Sequence, residues 1–155
     1  MLDNYPLPLQ SEVINALRSK KFITAINATT FFYQFGVYPP HCDRLTVISL
    51  RGLKQSKVCL IGYRNSPTYM QRFIDQLLRA YAHFARTFIN DIVIYSDSLE
   101  DHLGHLETIF GTFCKKNIAI APTKSFVGYP GVKLLGFHVD SFSLTTTREK
   151  VEAFR

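Results

Sequence analysis

The stretch Phe88-Ile89-Asn90-Asp91-Ile92-Val93-Ile94-Tyr95-Ser96 carries the strongest structural signal in this sequence. Apolar and β-branched residues flank the polar pair Asn90-Asp91, and this pattern predicts a buried β-hairpin with the pair at its tip. A carboxylate at the tip of a hairpin is well placed to bind a divalent metal ion, because Mg²⁺ prefers anionic oxygen ligands. Asp91 is such a carboxylate, whereas Asn90 is an amide. The hairpin therefore predicts a metal-binding edge at which only one of two adjacent positions is acidic.

Length and composition limit the class of protein. The chain has 155 residues, of which 46% are hydrophobic, with thirteen Phe and eight Tyr. These values predict one globular domain with a substantial core. No apolar run approaches the ~20 residues of a transmembrane helix, and residues 1–6 do not resemble a signal peptide, so we expect an intracellular protein, in the cytoplasm or nucleus, without a membrane partner. Cys42, Cys59 and Cys114 are widely spaced and form no C-x-x-C pair, which favours reduced thiols.

The net charge of +6 is distributed unevenly. Between residues 44 and 90 there are eight basic residues and one acidic residue, Asp75. The basic residues are Arg44, Arg51, Lys54, Lys57, Arg64, Arg72, Arg79 and Arg86. A basic segment with interleaved aromatic residues such as Tyr63 and Tyr69 suits contact with a nucleic-acid backbone. A solvated surface that keeps the protein soluble explains the charge equally well.

Hydrophobic periodicity predicts the elements of the first half of the chain. A short helix is expected over residues 11–19 and a buried strand over residues 22–26. Residues 46–50 and 57–61 are expected to pair as strands around a turn at residues 51–52. This half predicts a mixture of helix and antiparallel strand.

Two amphipathic helices dominate the second half. Ser66 as N-cap and Pro67 at the first helical position begin the first helix, and Ser98 with Asp101 forms a capping box at the start of the second. Their apolar stripes are Met70, Phe73, Ile74, Leu77, Leu78 and Tyr81, and then Leu99, Leu103, Leu106, Ile109, Phe110 and Phe113. Short strands are expected over residues 118–120, 125–127 and 132–139, and a last helix from Thr147. The order predicts an α+β fold with helices on one face of a mainly antiparallel sheet.

Several stretches occur in an order that resembles a known family. They are residues 3–8 (DNYPLP), 22–27 (FITAIN) with Phe32 and Gln34, 61–67 (IGYRNSP) with Gln71 and Arg72, 88–96, 102–106, 122–124 with Phe126, and 134–136. Together they resemble the reverse transcriptases of gypsy-type long-terminal-repeat retrotransposons. The resemblance implies a polymerase palm-like antiparallel sheet with helices packed on one face, plus part of the fingers. Residues 1–155 would form this single domain, shorter than the family at both ends.

The resemblance implies Mg²⁺ held by three aspartates, whose positions here are Asn27, Asn90 and Asp91. Two-ion nucleotidyl transfer depends on converging carboxylates, and an amide brings no negative charge. If each lost carboxylate removes about 4 kcal/mol of transition-state stabilisation, each costs roughly a thousandfold in rate. We therefore expect an inactive palm with weak or absent Mg²⁺ binding, and Asp91 as the single retained, weak metal ligand. That Asn tolerates tight turns explains how the fold survives the change, but it does not explain how catalysis would.

The resemblance also implies nucleotide-binding positions at Phe32, Gly62 and Gln71. Phe32 corresponds to the aromatic residue that packs under the incoming sugar, although a purely structural core residue is the alternative. Gly62 lies in a loop that lets backbone approach the nucleotide and template, and Gln71 and Arg72 would face the template strand. Phe31 stands where the family usually has Gly, and we expect its ring to crowd the nucleotide pocket.

Further side chains are candidates for nucleic-acid or metal contact. The candidate nucleic-acid-binding residues are Arg44, Arg51, Lys54, Arg64, Arg72 and Lys124. His102 and His105 are close enough in sequence to suggest zinc, but no third ligand lies at a convincing spacing, so ordinary helix-surface histidines are expected instead.

Three functions remain open from the sequence. The first is a retrotransposon-derived reverse-transcriptase (RNA-directed DNA polymerase) domain that has lost catalysis and retains binding of RNA/DNA template-primer. The second is an active polymerase fragment that needs a partner chain. The third is a non-catalytic structural or interaction subunit, such as one member of a dimer.

Overall fold

An antiparallel sheet forms the centre of the molecule. The computed structural model describes residues 3–140 and 144–146. Within this part the strands are β1 (Phe22–Asn27), β2 (Thr46–Ser49), β3 (Gly52–Gln55), β4 (Ala85–Phe88), β5 (Asp91–Ser96), β6 (Phe126–Tyr129), β7 (Gly131–Leu134), β8 (Phe137–Asp140) and β9 (Leu144–Thr146). The central sheet has the order β4-β5-β1-β6, while β2-β3 and β7-β8-β9 form two smaller sheets. The sheet at the centre thus joins strands from the beginning, middle and end of the described chain.

The helices surround this sheet. They are α1 (Gln10–Asn15), α2 (Ser66–Leu78) and α3 (Leu99–Lys116), with short 3-10 turns at Phe31–Gln34, Pro39–Leu45, Arg79–Tyr81 and Pro122–Lys124. Among the described residues, none of the helices combines the length and apolar composition that crossing a bilayer would require.

Alternation along β1 divides the core into two layers, because successive strand residues point to opposite faces. Ile26 packs with residues of α2 and α3, such as Ile74 and Ile109. Ile23 packs on the other face with α1 and the β7–β8 hairpin. The predicted α+β fold is confirmed, with the two long helices sharing one face. The short α1 lies on the opposite face, where Val13 is buried.

The hairpin predicted at residues 88–96 is formed by β4 and β5, but its tip is shifted by one residue. Phe88 pairs with Asp91, so the two turn residues are Ile89 and Asn90, and Asp91 begins β5. Ile89 has a φ of 55°. This left-handed conformation is unfavourable for a β-branched side chain, so neighbouring contacts must hold the turn.

The hairpin predicted around residues 51–52 is shorter than expected. Strand β2 pairs with β3 in a register that places Ser49 opposite Gly52, and Gly52 has a φ of 97°. A tight turn allows pairing to begin at once, so the second strand is β3 and not residues 57–61. That later segment contributes a single bridge between Val58 and Gly36.

The predicted strand over residues 132–139 is two strands. Leu135 and Gly136 have φ values of 52° and 80°, which reverse the chain between β7 and β8. Residues 118–120 form only one bridge, from Ile120 to Ala28. The helix expected from Thr147 lies outside the described residues.

Of the two predicted helix caps, one is confirmed and one is shifted by a residue. Ser98 is the N-cap of α3, and its Oγ accepts a hydrogen bond from the Asp101 backbone N–H at 3.1 Å, as predicted. At α2 the N-cap is Asn65 and Ser66 is the first helical residue. The Ser66 hydroxyl instead donates to the Leu60 carbonyl at 3.0 Å. Helix α1 ends at Asn15, earlier than expected, and the backbone continues with i→i−3 hydrogen bonds such as Leu17 N–H to the Ile14 carbonyl.

Candidate functional site

Asn27, Asn90 and Asp91 lie together at one end of the central sheet. Asn27 is opposite Asp91 because the last residue of β1 meets the first residue of the antiparallel β5. The Ala28 backbone N–H donates to the Asn90 carbonyl at 2.9 Å, which holds the hairpin tip beside the end of β1. All three side chains are half-buried. The fold therefore brings together the three positions that the sequence analysis associated with a metal.

A hydrogen bond joins two of these side chains. Asn27 Nδ2 donates to Asp91 Oδ1 at 2.8 Å. Burial raises the pKa of the Asp91 carboxyl above its ordinary value, and the bond from Asn27 partly opposes this rise. One carboxylate oxygen of Asp91 is thus already engaged by a neutral donor from the neighbouring strand.

The side chains of Asn27, Asn90 and Asp91 can be compared with the ligands that Mg²⁺ requires. In a two-ion site, ions about 4 Å apart are neutralised by converging carboxylates. Here one carboxylate stands with two neutral amides, and the Asn27 amide presents its N–H to Asp91. Across residues 3–140 and 144–146, no group of three or more His, Cys, Asp or Glu side chains is arranged to hold a metal ion. These side chains do not match a two-ion magnesium site.

Gln71 supports the hairpin tip from inside the protein. Its side chain is 0% exposed, and its Oε1 accepts the Ile89 backbone N–H at 2.7 Å. Its Nε2 donates to Asp75 Oδ1 at 2.8 Å and to Thr87 Oγ1 at 3.0 Å. We expected Gln71 to face the template or nucleotide, but the buried side chain has no access to a ligand. It acts on the site by positioning the strained turn at Ile89.

Asp75 completes this support, and the sequence analysis did not identify it. Its Oδ2 accepts the Tyr5 hydroxyl at 2.8 Å, and its Oδ1 accepts the Thr87 hydroxyl at 2.7 Å. The hydrogen bond to Asp75 is the main cause of the raised pKa of the Tyr5 hydroxyl. Two signals were available in the sequence: Asp75 is the one acid among eight basic residues, and it lies four residues after Gln71 on the same helix.

The two aromatic rings after β1 have different environments. Phe31 is 2% exposed and contacts Phe35 edge-to-face, with ring centroids 5.1 Å apart. The expectation that Phe31 crowds a nucleotide pocket is wrong, because its ring lies in the core. Phe32 is half-buried and packs against that core, so its role toward a nucleotide stays a prediction.

Gly62 has a φ of 89°, a conformation that side chains rarely adopt. A Cβ at this position would meet nothing within 4 Å. The backbone there is therefore open to approach from outside, as the resemblance implied. Nucleotide contact at Gly62 remains a prediction.

Most of the candidate nucleic-acid-binding residues are exposed. Arg44, Arg51, Lys54, Arg64 and Lys124 all extend into solvent. Lys124 belongs to a turn that packs beside β1 through neighbouring residues, which hydrogen-bond to the backbone of Asn27.

Arg72 is engaged within the protein. Its guanidinium forms an ion pair with Asp3 and lies over the Tyr5 ring at 5.5 Å. Arg72 is half-buried, and its ion pair joins the N-terminal segment to α2. A nucleic-acid ligand would therefore have to compete with Asp3 for this guanidinium.

The two histidines of α3 are not both surface residues. His102 is 1% exposed, and its Nε2 lies 2.8 Å from Thr24 Oγ1. Ser96 Oγ lies 2.9 Å from His102 Nδ1 and 2.8 Å from His105 Nδ1. The expectation of ordinary helix-surface histidines is wrong for His102, which bonds to the sheet.

Comparison with known proteins is consistent with this geometry. The family model described as reverse transcriptase (RNA-dependent DNA polymerase) matches residues 5–139. The chain belongs to the reverse transcriptase family. It is 28% identical over 156 residues to the retrovirus-related Pol polyprotein from transposon gypsy of Drosophila melanogaster, and 25% identical over 152 residues to that from transposon opus. These alignments cover 99% and 97% of this chain respectively, and 15% of each polyprotein.

Solved reverse transcriptases share the fold. The foamy viral protease-reverse transcriptase in complex with an RNA/DNA hybrid superimposes with a TM-score of 0.90 at 17% identity, covering 99% of this chain and 21% of that one. The same viral protein with double-stranded DNA gives a TM-score of 0.89, covering 32% of that chain. The fold of a reverse-transcriptase palm with part of the fingers is thereby established for the described residues.

Proposed function

We propose that this reverse-transcriptase domain does not catalyse nucleotidyl transfer and functions by binding nucleic acid. In this proposal residues 1–155 form one domain that combines the palm with part of the fingers. The observation that carries the proposal is the 2.8 Å hydrogen bond from Asn27 Nδ2 to Asp91 Oδ1. Two carboxylates at these positions would repel each other unless a cation lay between them, whereas the amide of Asn27 bonds to the Asp91 carboxylate without a cation.

The charge balance of the site supports the loss of catalysis. Transfer of a nucleotide requires cations that activate the attacking hydroxyl and stabilise the leaving pyrophosphate. Asp91 is the single carboxylate of the three positions, so the site offers little charge to offset divalent ions. Mg²⁺ binding should accordingly be weak or absent.

Exposed basic side chains support nucleic-acid binding. Arg44, Arg51, Lys54 and Arg64 are free of ion pairs with described acids and lie on the surface, where they can contact phosphates. The foamy viral relatives of the same fold are described in complexes with an RNA/DNA hybrid and with double-stranded DNA. A duplex of template and primer is therefore the ligand class that we favour.

Primer extension tests the catalytic part of the proposal. The purified chain is incubated with a primed RNA template, deoxynucleotides and Mg²⁺ or Mn²⁺, beside the double variant N27D/N90D. We expect no extension by the native chain. In a parallel thermal unfolding measurement, Mg²⁺ should stabilise the fold of the double variant and leave that of the native chain unchanged. The matched control is N27A/N90A, which removes the amides without adding carboxylates.

The outcome also separates the alternatives. Metal-dependent incorporation by the native chain would contradict the proposal and favour an active fragment. Absence of extension together with absence of binding to any RNA/DNA hybrid would favour a structural or interaction subunit. Binding without extension is the result that the proposal requires.

A further inference from the structure

The hairpin formed by β2 and β3 carries large apolar side chains that the rest of the described chain leaves uncovered. Ile48 is 87% exposed, Leu53 is 74% exposed, and Leu50 in the turn between the strands is fully exposed. Ile48 and Leu53 pair directly across the two strands, so both side chains lie on the same face of the hairpin. Exposed apolar residues that are scattered singly need no explanation, but a contiguous group of them marks an interaction surface.

This hairpin lacks the support that a β-ribbon ordinarily receives. Strands β2 and β3 form a two-stranded sheet with no third strand among the described residues. A single bridge between Gly36 and Val58 lies beyond the ends of the two strands. An isolated two-stranded hairpin is marginally stable in water, and it gains stability when a further strand or a helix packs against it. The exposed face of β2 and β3 therefore suits a partner that supplies such an element.

Helix α3 presents a surface of the matching kind. Leu99 and Leu103 are 55% and 60% exposed, and they lie about one turn apart on the same side of the helix. Neither belongs to the buried side of α3, which consists of His102, Leu106, Ile109 and Phe113. The two leucines therefore form an apolar ridge at the surface.

The two surfaces carry opposite charge. Residues 44–57, which include the hairpin, contain four basic residues and no acid. Residues 97–107, which include both exposed leucines, contain four acids and neither Lys nor Arg. Of these acids, Glu100 and Glu107 are exposed and form no ion pair with a described residue. An apolar face with a basic border thus complements an apolar ridge with an acidic border.

We propose that two copies of this chain form a dimer in which the β2–β3 hairpin of each copy docks on α3 of the other. The apolar face of the hairpin covers Leu99 and Leu103, while Arg51 in the turn faces the exposed glutamates. Reciprocal exchange between two copies closes the contact around a two-fold axis, so it is made twice. A second copy is the occupant because one chain carries both complementary surfaces. The inference goes beyond the proposed function, since this dimer requires no nucleic acid.

Sedimentation equilibrium of the full chain, treated with nuclease and freed of nucleic acid, tests the dimer. We expect a reversible equilibrium between monomer and dimer at micromolar concentrations. Added salt should weaken the dimer, because it screens the attraction between the charged borders. A chain that stays monomeric at every concentration up to about 1 mM would overturn the proposal.

Substitutions on either surface should weaken the dimer. I48S/L53S removes the apolar face of the hairpin and L99S/L103S removes the ridge on α3, and we expect each to raise the dissociation constant at least about tenfold. All four positions are exposed, and circular dichroism with urea unfolding checks that each variant folds. The matched control is V127S, because Val127 is 51% exposed and lies outside both surfaces. V127S should leave the dissociation constant unchanged.

Mixing the two double variants distinguishes a hairpin-to-helix contact from other modes of association. The I48S/L53S chain keeps an intact ridge on α3 and the L99S/L103S chain keeps an intact hairpin, so their mixture restores one of the two contacts. We expect the mixed pair to associate at least about tenfold more tightly than either variant associates with itself.

Exchange of charge gives a second comparison of the same kind. In R51E the new glutamate would face Glu100 and Glu107, and in E100R the new arginine would face Arg51, so each variant should dimerise weakly alone. A mixture of R51E with E100R places opposite charges at both contacts. The mixed pair should therefore associate more tightly than either variant does with itself.

The possible results decide the inference. Mixed variants that associate no better than separate ones would overturn docking of the hairpin on α3, as would an equal loss in V127S. Normal dimerisation of L99S/L103S would show that hairpins pair with each other instead. Species that grow beyond the dimer with concentration would overturn the closed two-fold arrangement. None of these measurements contains nucleic acid, so failure of the proposed function leaves them unaffected.

Discussion

At the level of single residues, the amides of Asn27 and Asn90 distinguish this site from the three-carboxylate metal site that the resemblance implied. An aspartate at position 27 would repel Asp91, whereas the amide of Asn27 donates a hydrogen bond to it at 2.8 Å. Hydrogen bonds to charged groups are among the stronger ones in proteins. An amide at position 27 therefore lets the ends of the two strands meet without a cation between these side chains.

The substitution N27D should replace this hydrogen bond with repulsion between two carboxylates. We expect the free energy of unfolding in metal-free buffer to fall by about 1–3 kcal/mol, because a hydrogen bond to a charged group is lost and two carboxylates face each other. Added Mg²⁺ should restore part of the loss. Urea unfolding with and without Mg²⁺ measures both effects, and N4D at an exposed site is the control. An N27D variant as stable as the native chain without metal would contradict our account.

Q71L should loosen the hairpin tip. The variant leaves the Ile89 N–H without its acceptor and removes one of the two donors to Asp75 Oδ1, so the free energy of unfolding should fall by about 1–3 kcal/mol. Amide hydrogen exchange at Ile89 should also accelerate. Gln76 is exposed on the same helix, and Q76L should change stability by no more than about 0.5 kcal/mol. Equal effects of the two variants would show that Gln71 does not hold the turn.

At the level of helices and strands, a polar network fastens α3 to the sheet. The Gly128 N–H donates to Thr24 Oγ1 at 2.9 Å, and Thr24 bonds to His102 Nε2. Ser96 lies between the Nδ1 atoms of His102 and His105. A hydroxyl carries one proton, so Ser96 can donate to only one ring while the other donates to it. The network thus connects β6, β1, α3 and β5 and depends on neutral histidine.

Acid should weaken this attachment. Burial is the main cause that lowers the pKa of both His102 and His105. The other histidine of the pair also lowers the value of His102, while Asp101 raises and His83 lowers that of His105. The unfolded chain therefore binds protons more readily than the folded chain. The stability that the neutral histidines contribute should be fully present above 6.5, the ordinary histidine pKa, and be lost as pH falls below it.

Denaturant unfolding at neutral and mildly acidic pH measures this dependence. H102Q should be less stable at neutral pH and show a flatter pH dependence than the native chain. His41 is exposed and lies outside the network, so H41Q should leave the pH dependence unchanged. A native chain whose stability does not change below pH 6.5 would contradict the role of this network.

Across the molecule as a whole, charge is segregated along the chain and exposed at the surface. The segment from residue 44 to residue 90 holds eight basic residues and one acid. The single acid, Asp75, is used internally by three hydrogen-bond donors, so it does not offset the surface charge. This distribution favours attraction of a polyanion.

Salt should therefore weaken nucleic-acid binding in proportion to the phosphates contacted. K54Q and R64Q should each lower affinity for an RNA/DNA hybrid and reduce the slope of log K against log salt by about one. Lys116 lies at the end of α3, outside the basic segment, and K116Q should leave the slope unchanged. Anisotropy titrations over a series of salt concentrations provide the slopes. An identical reduction in all three variants would show that net charge, and not this segment, controls binding.

The sequence alone was enough to predict the family, the α+β fold, the hairpin and the two amides at this end of the central sheet. The family follows from the resemblance of an ordered set of motifs. The fold follows from local patterns such as the alternation in β5 and the Ser98 cap. Helix and strand patterns are local properties, so they can be read without knowing what packs against them.

The directions and contacts of the side chains became known only from the folded chain. In the folded chain the Phe31 ring lies in the core, Gln71 and His102 are buried, and Arg72 forms an ion pair with Asp3. It also placed the hydrogen bond of Asn27 on Asp91 across 64 residues of sequence. Such contacts depend on how segments that are distant in sequence pack together. The sequence does not show whether a polar side chain contacts a ligand or forms a hydrogen bond within the protein. That is why the loss of carboxylates at this site could be predicted from residues alone, while the bonds that replaced them could not.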